Sequence, residues 1–303
     1  MLNIYEQVDR NKQKSLLIIV VFMGFIVGAT YFMAQAFGFG LDFVALALIF
    51  SGLMSLASYY YCDKIILTLS GARPADRHRD FDFYTVAQNL CLVARIPMPK
   101  LYVIDDTAMN AFATGRDPGH AVVVATTGIL KGLDRTELEG VIAHELSHVK
   151  NYDIRVMSIV TILVGLVTLL ADWMVRASYF GGSRRDRDSN TGNVGSLIML
   201  IGFALALLSP IIASLIKLAV SRQREYLADA SGVALTKYPE GLARALEKLA
   251  ADREPLEAAN KATAHLYITN PLKNLKGQVG MFAGLFSTHP PIEDRIKTLR
   301  QMT

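Results

Sequence analysis

Four segments of the 303-residue chain contain no Asp, Glu, Lys or Arg: Leu16–Ala34, Phe43–Cys62, Val156–Ala171 and Val194–Ile216. A helix crossing about 30 Å of hydrocarbon at 1.5 Å per residue needs about 20 residues. The first, second and fourth segments meet that length; the third is short for a span. Charged residues make up 19% of the chain and apolar residues 52%, against about a quarter charged in a soluble domain. Disorder and a wholly soluble single domain both fit poorly. A membrane protein carrying one soluble domain with its own core fits well.

The charges flanking the segments set an expected orientation. Arg10, Lys12 and Lys14 precede the first segment, Lys64, Arg73, Arg77 and Arg79 follow the second, and the turn Gln35–Leu41 carries no charge. By the positive-inside rule both flanks are cytoplasmic, which makes a hairpin. Ala34-Gln35-Ala36 has the form of a signal-peptidase site, but the apolar run is long for a signal peptide and Glu6 and Asp9 lie in the leading tail. The loop between the third and fourth segments carries Arg184, Arg185 and Arg187. If that hairpin crosses, these arginines face outside, against the rule; crossing is the expectation, with burial in protein as the alternative. Either way the chain returns to the same side. Cys62 and Cys91 are read as reduced, packed thiols. A net charge of +4 with no basic stripe gives no reason to expect nucleic acid.

The chemistry centres on Val141-Ile-Ala-His144-Glu145-Leu-Ser-His148-Val149. Asp134 to Glu139 makes a capping-type start, and Leu138, Val141, Ile142 and Leu146 recur at helical spacing. His144 and His148 then lie one turn plus 40° apart, so both imidazoles can meet one Zn²⁺ at ~2.0–2.1 Å. Glu145 is rotated by 100°, off the metal but able to serve water as a general base. A catalytic zinc needs a third protein ligand. Arg222-Gln-Arg-Glu225-Tyr-Leu-Ala-Asp229 follows the second apolar pair, with Glu225 and Asp229 at i and i+4. Glu225 suits the third ligand, and Asp229 suits the acceptor behind a ligand histidine. Ala228 and Ala230-Ser-Gly232 allow close approach of the two helices. His78, His120 and His265 have no partner at ligand spacing.

His144-Glu-Leu-Ser-His148 with Glu225-Tyr-Leu-Ala-Asp229 after an apolar hairpin resembles the HtpX family of membrane zinc endopeptidases. The resemblance extends over nearly the whole chain, including Asn110-Ala-Phe-Ala-Thr-Gly115 and Thr288-His-Pro-Pro291 with Arg295. It implies a gluzincin fold, ligands His144, His148 and Glu225, catalytic Glu145, one Zn²⁺ per chain, and a bacterial inner-membrane enzyme that degrades damaged or misassembled membrane proteins. In the wider gluzincin fold an edge strand ending in a similar Asn-Ala-Phe pairs with extended substrate. That makes Asn110 and Ala111 substrate-binding candidates by strand addition. His289, before the Pro-Pro pair, is either an oxyanion stabiliser or a packing residue. Arg295 is expected to tie the terminal helix to the core.

The expected architecture is a mainly α membrane protein: four apolar helices in two hairpins, plus a gluzincin-like α+β protease domain with a small sheet. Its parts are 1–62, tail and hairpin; 63–153, edge strand and zinc helix; 154–216, second hairpin; and 217–303, third ligand and terminal helices. The expected protein is a multi-pass membrane zinc endopeptidase with its catalytic domain and both termini cytoplasmic. Its substrates are membrane or unfolded polypeptides, and its oligomeric state is left open. A zinc-binding membrane scaffold without protease activity is the alternative. A transporter would need ionisable groups inside its spans, and the four segments have none.

Overall fold

A computed structural model describes residues 4–37, 40–163, 165, 222–256, 263, 266–268 and 290–302. Two long helices open the chain, α1 (Ile4–Phe37) and α2 (Leu41–Leu69). They contain the two stretches long and apolar enough to cross a membrane among the described residues, Val8–Gly28 and Val44–Leu69. These match the first predicted hairpin. Of the third apolar segment, 156–163 is helical and fully buried; the fourth lies outside the described residues.

The sheet is small and mixed, in the order β1-β2-β4-β3. β1 is Arg73–Pro74, β2 Lys100–Ile104, β3 Ala111–Gly115 and β4 Ala121–Thr126. β2 and β4 run parallel, paired Lys100↔Val122 through Ile104↔Thr126, and β3 closes antiparallel on β4. β2 and β4 carry runs of β-branched and apolar residues, which favour strands, whereas two-residue β1 carries no such signal. Helices α3 (Phe81–Ala94), α4 (Thr127–Gly132) and α5 (Arg135–Lys150) complete this half.

Every residue of β4 is buried, because both faces of the sheet are covered. Ala121, Val123 and Ala125 face a core built from α3, α5 and Leu242, Leu246 and Leu249. Val122 and Val124, with Ile104 and Phe112, face Ile18 and Phe22 of α1, Ile66 and Leu67 of α2, and Val156 to Leu163. Successive strand side chains point to opposite faces. The strand that carries the core of α3 and α5 on one face therefore carries the apolar hairpin on the other.

α5 begins with a reciprocal cap: Glu137 N–H donates to Asp134 Oδ1 at 2.9 Å and Asp134 N–H donates to Glu137 Oε2 at 2.8 Å. Twelve residues of the helix are buried, Glu137 and His144 to His148 included. His148 does not run on in one helix into the third apolar segment. Instead the chain turns at 151–152 and restarts as α6 from 153. Tyr152 sits in the left-handed region at φ 60°, a conformation that disfavours helix continuation in L-residues. Lys12 Nζ and the Arg155 guanidinium lie 5.0 and 5.1 Å from the centre of its ring. Among the described residues that follow are α7 (Arg222–Thr236), α8 (Pro239–Ala251) and α9 (Ile292–Arg300).

Candidate active site

His144 and His148 project from α5 toward α7, with ring centres 4.8 Å apart. The two helices approach closely because α7 is small where they cross. A Cβ on Gly232 would stand 3.1 Å from the His144 backbone nitrogen, and Ala228 is wholly buried. Glu225 thereby comes within reach of both imidazoles, its Oε2 3.8 Å from His144 Nε2 and its Oε1 3.5 Å from His148 Nε2. One ligand atom from each of the three residues lies within 4.8 Å of the other two. Donors 2.0–2.1 Å from a tetrahedral ion stand roughly 3.3–3.4 Å apart. Two nitrogens and one carboxylate at this spacing could hold a metal ion.

Each histidine has a carboxylate behind it. His144 Nδ1 lies 2.8 Å from Asp229 Oδ1, and His148 Nδ1 lies 3.1 Å from Asp153 Oδ2. With Nδ1–H donating outward, each Nε2 is left as a bare lone pair pointing inward, the tautomer a metal requires. Asp229 was expected in this role. Asp153 was missed, because it reaches His148 only through the break at Tyr152. The turn-forming cluster Asn151-Tyr-Asp153 was the available signal.

Behind the carboxylates stand arginines. Arg295, fully buried, donates Nε to Asp229 Oδ2 at 2.9 Å and Nη2 to Asp229 Oδ1 at 2.7 Å. Its Nη1 is 3.8 Å from Glu225 Oε2. The expected tie to the core therefore passes through the site itself. Arg224 Nη1 is 3.4 Å from Asp153 Oδ1. Asn11, from α1, donates Nδ2 to Asp153 Oδ1 at 2.8 Å and to the Asn151 carbonyl at 2.9 Å. Nothing in the sequence singled out Asn11, a lone polar residue 142 positions before Asp153.

Burial opposes charge on the Asp229 carboxyl, but Arg295 and the His144 hydrogen bond outweigh it and hold the group at about 2. Burial likewise opposes charging His148; the Asp153 hydrogen bond and the charges of Glu225, Asp153 and Glu145 reverse that and push it up to about 9. The raised His148 value reports the carboxylates gathered around it, which favour a bound cation, and the lowered Asp229 value reports the Arg295 guanidinium beside it. Glu145 is buried on α5 between the two histidines in sequence, 3% exposed.

The remaining sequence candidates fare differently. β3 is an edge strand, but Asn110 and Ala111 are 3% and 1% exposed, and the Ala111 carbonyl accepts from Ile268 N–H at 3.1 Å. At the other end Gly115 N–H donates to Ser158 Oγ at 3.1 Å. Between these two contacts, alternation along the strand turns the backbone N–H and C=O of Ala113 away from β4, while its side chain packs in the core, 3% exposed. His289 and His265 lie outside the described residues. His120 pairs with Asp117 and Arg116, away from the metal ligands.

The profile of peptidase family M48 matches residues 77–303, which include every one of these side chains except Asn11. The chain belongs to peptidase family M48. Proteins named protease HtpX homolog are similar over nearly their full length: 45% identity with that of Dictyoglomus thermophilum, covering 98% of this chain and 94% of that one; 40% with that of Streptococcus uberis, covering 99% and 100%; and 43% with that of Tropheryma whipplei, covering 98% of each. Among solved structures, S. mikatae Ste24p matches at 19% identity and a TM-score of 0.48, over 93% of this chain and 62% of that one. M48 membership makes the protein a metalloprotease and answers the alternative of an inactive scaffold. The resemblance read from the zinc helix and the Glu225 motif is borne out.

Proposed function

We propose that this M48 metalloprotease is a zinc endopeptidase acting at a membrane on unfolded or damaged membrane proteins, with His144, His148 and Glu225 as ligands and Glu145 as general base. The observation that carries the reading is the inward convergence of both Nε2 atoms on the Glu225 carboxylate, each imidazole backed by its own aspartate. A zinc ion held there would polarise the scissile carbonyl and acidify water.

The chain's own residues do the rest. Glu145 takes the proton of the attacking water and delivers it to the leaving amine. Asp229, clamped by Arg295, and Asp153, clamped by Arg224 and Asn11, keep both imidazoles in the donor-inward tautomer through that exchange. The outward backbone of β3 near Ala113 offers extended substrate a short stretch of strand pairing. Asn110 and Ala111 act by shaping the entrance to that strand, through the Asn110 Oδ1 acceptor 3.1 Å from Ala111 N–H.

The basic flanks of the first hairpin support a cytoplasmic M48 portion and cytoplasmic termini, with the second apolar pair making a second hairpin. Asn11 supports a site close to the membrane surface: it touches the Asp153 carboxylate and lies five residues, about 7.5 Å of helix, before the apolar run begins at Leu16. The deciding experiment uses the purified full chain in detergent or nanodiscs with an unfolded membrane protein as substrate, with and without chelator, and Glu145→Gln beside it. Cleavage that needs zinc and Glu145 is expected. Cleavage that persists in Glu145→Gln would reject the mechanism, and activity confined to soluble unfolded proteins would reject the substrate class.

A further inference from the structure

At the inner end of α2 the apolar run stops at Cys62, and Asp63 and Lys64 are the first charges after it. The helix is kinked there, with Tyr61 at φ −117° and ψ 15°. Beside the kink opens a cavity of about 360 Å³, lined by Tyr60, Tyr61, Lys64, Lys100, Arg116 and His120, with Asp63 the single lining carboxylate. Elements distant in sequence build it: the end of α2, the start of β2, and the turn between β3 and β4.

The cavity is prepared for an anion. Arg116 is fixed from several sides: its guanidinium lies 5.3 Å from the centre of the Tyr60 ring, Nη1 donates to the Tyr60 carbonyl at 3.4 Å, and Nη2 meets His120 Nε2 at 2.7 Å. Asp117 holds the other side of His120, 2.8 Å from Nδ1, and lies 3.5 Å from Arg116 Nε. Among the described residues neither Lys64 nor Lys100 stands in an ion pair. Lys64 Nζ sits 5.4 Å from the Tyr61 ring centre instead. Two uncommitted ammonium groups thus share a cavity with an oriented guanidinium.

Its depth identifies the kind of anion. Tyr59, Tyr60 and Tyr61 followed by a lysine at the end of an apolar span is the composition of a membrane interface, where aromatic rings and basic side chains sit at headgroup level. Tyr60 and Tyr61 are 53% and 54% exposed, so their rings face outward beside the opening. A phosphate at that depth is supplied by lipid. We propose that this cavity binds the phosphate of an anionic phospholipid of the leaflet that the M48 domain faces, with Lys64, Lys100 and Arg116 as its partners and Tyr60 and Tyr61 against the glycerol backbone. Such a contact pins the inner end of α2, and through Arg116 the β3–β4 turn, to the membrane plane.

The test uses the full chain in nanodiscs of phosphatidylcholine with and without phosphatidylglycerol, counting lipids that remain bound to the released protein by native mass spectrometry. The parent is expected to retain phosphatidylglycerol in preference to phosphatidylcholine. Lys64→Ser/Lys100→Ser is expected to retain it roughly twenty-five-fold less well, about fivefold per lysine, while Lys131→Ser/Lys297→Ser, the same charge change elsewhere, retains it like the parent. Because both lysines are exposed, the double variant should fold, and its melting temperature in phosphatidylcholine alone verifies this. Equal retention of the two lipids, or a Lys64/Lys100 variant indistinguishable from the control, overturns the proposal. So does displacement of phosphatidylglycerol by millimolar inorganic phosphate or glycerol 3-phosphate, which would make the cavity a site for a free anion.

Discussion

Replacing Glu145 with Gln removes a proton acceptor without changing shape. Glu145→Gln should bind one metal ion per chain like the parent and cleave at least about a hundredfold more slowly; metal analysis beside peptide hydrolysis checks both halves. Asp229 has the opposite profile. It holds His144 and neutralises a fully buried arginine, so Asp229→Ala strands the Arg295 charge. A loss of about 3–5 kcal/mol in stability is expected, with metal affinity falling about 10–100-fold, read by denaturant titration and competition with a metal indicator. Cys91 gives a cleaner titration. Burial raises its thiol from 9 to about 11, so the folded state holds the proton more tightly than the unfolded chain. It should resist maleimide at pH 8 while folded, and stability should fall as pH rises from 9 toward 11, where only the unfolded thiol ionises.

The elements position these residues, and here sequence and structure part company in an instructive way. The candidate metal-binding cluster was legible because i, i+4 pairs on two helices state their own geometry: His144 with His148, and Glu225 with Asp229, which backs His144. So was the close approach that Gly232 permits. Gly232→Leu should push α5 and α7 apart and weaken metal binding at least about tenfold; a parent-like affinity in the same titration would show that the interface can repack. Asp153 and Asn11 were not legible. Their roles depend on a left-handed tyrosine that bends the chain back and on a contact across 142 residues, and neither leaves a periodic trace. The burial of Asn110 and Ala111 was equally hidden, since the Ile268 contact that covers the strand is tertiary. Asn11→Ala should leave the helix intact, because alanine is the better helix former, yet free Asp153 to rotate. About a tenfold loss of metal affinity with an unchanged melting profile is the expected result.

At the scale of the whole molecule, the sheet joins the protease core to the apolar hairpin face to face, so the two should not unfold separately. Metal bound across α5 and α7 then stabilises both. At a thousandfold excess over its dissociation constant, zinc should contribute about 4 kcal/mol. A chelator should lower the melting temperature in a single cooperative step, restored by adding zinc; two resolved transitions in calorimetry would show that the halves are independent.

The division of the metal ligands between α5 and α7 also has a consequence in time. Glu225 is 77 residues downstream of His148, and both later apolar segments lie between them. A ribosome adding about 5–20 residues per second needs roughly 4–15 s to cover that distance. During that interval the nascent chain carries His144, Glu145 and His148 but not Glu225, the proposed third ligand. The scissors stay unassembled while the enzyme's own unfolded, newly inserted segments are the nearest cleavable polypeptide, and they close only once the second apolar pair has been made. On the proposed function, the protease is thus kept from its own unfolded segments by the order in which it is synthesised.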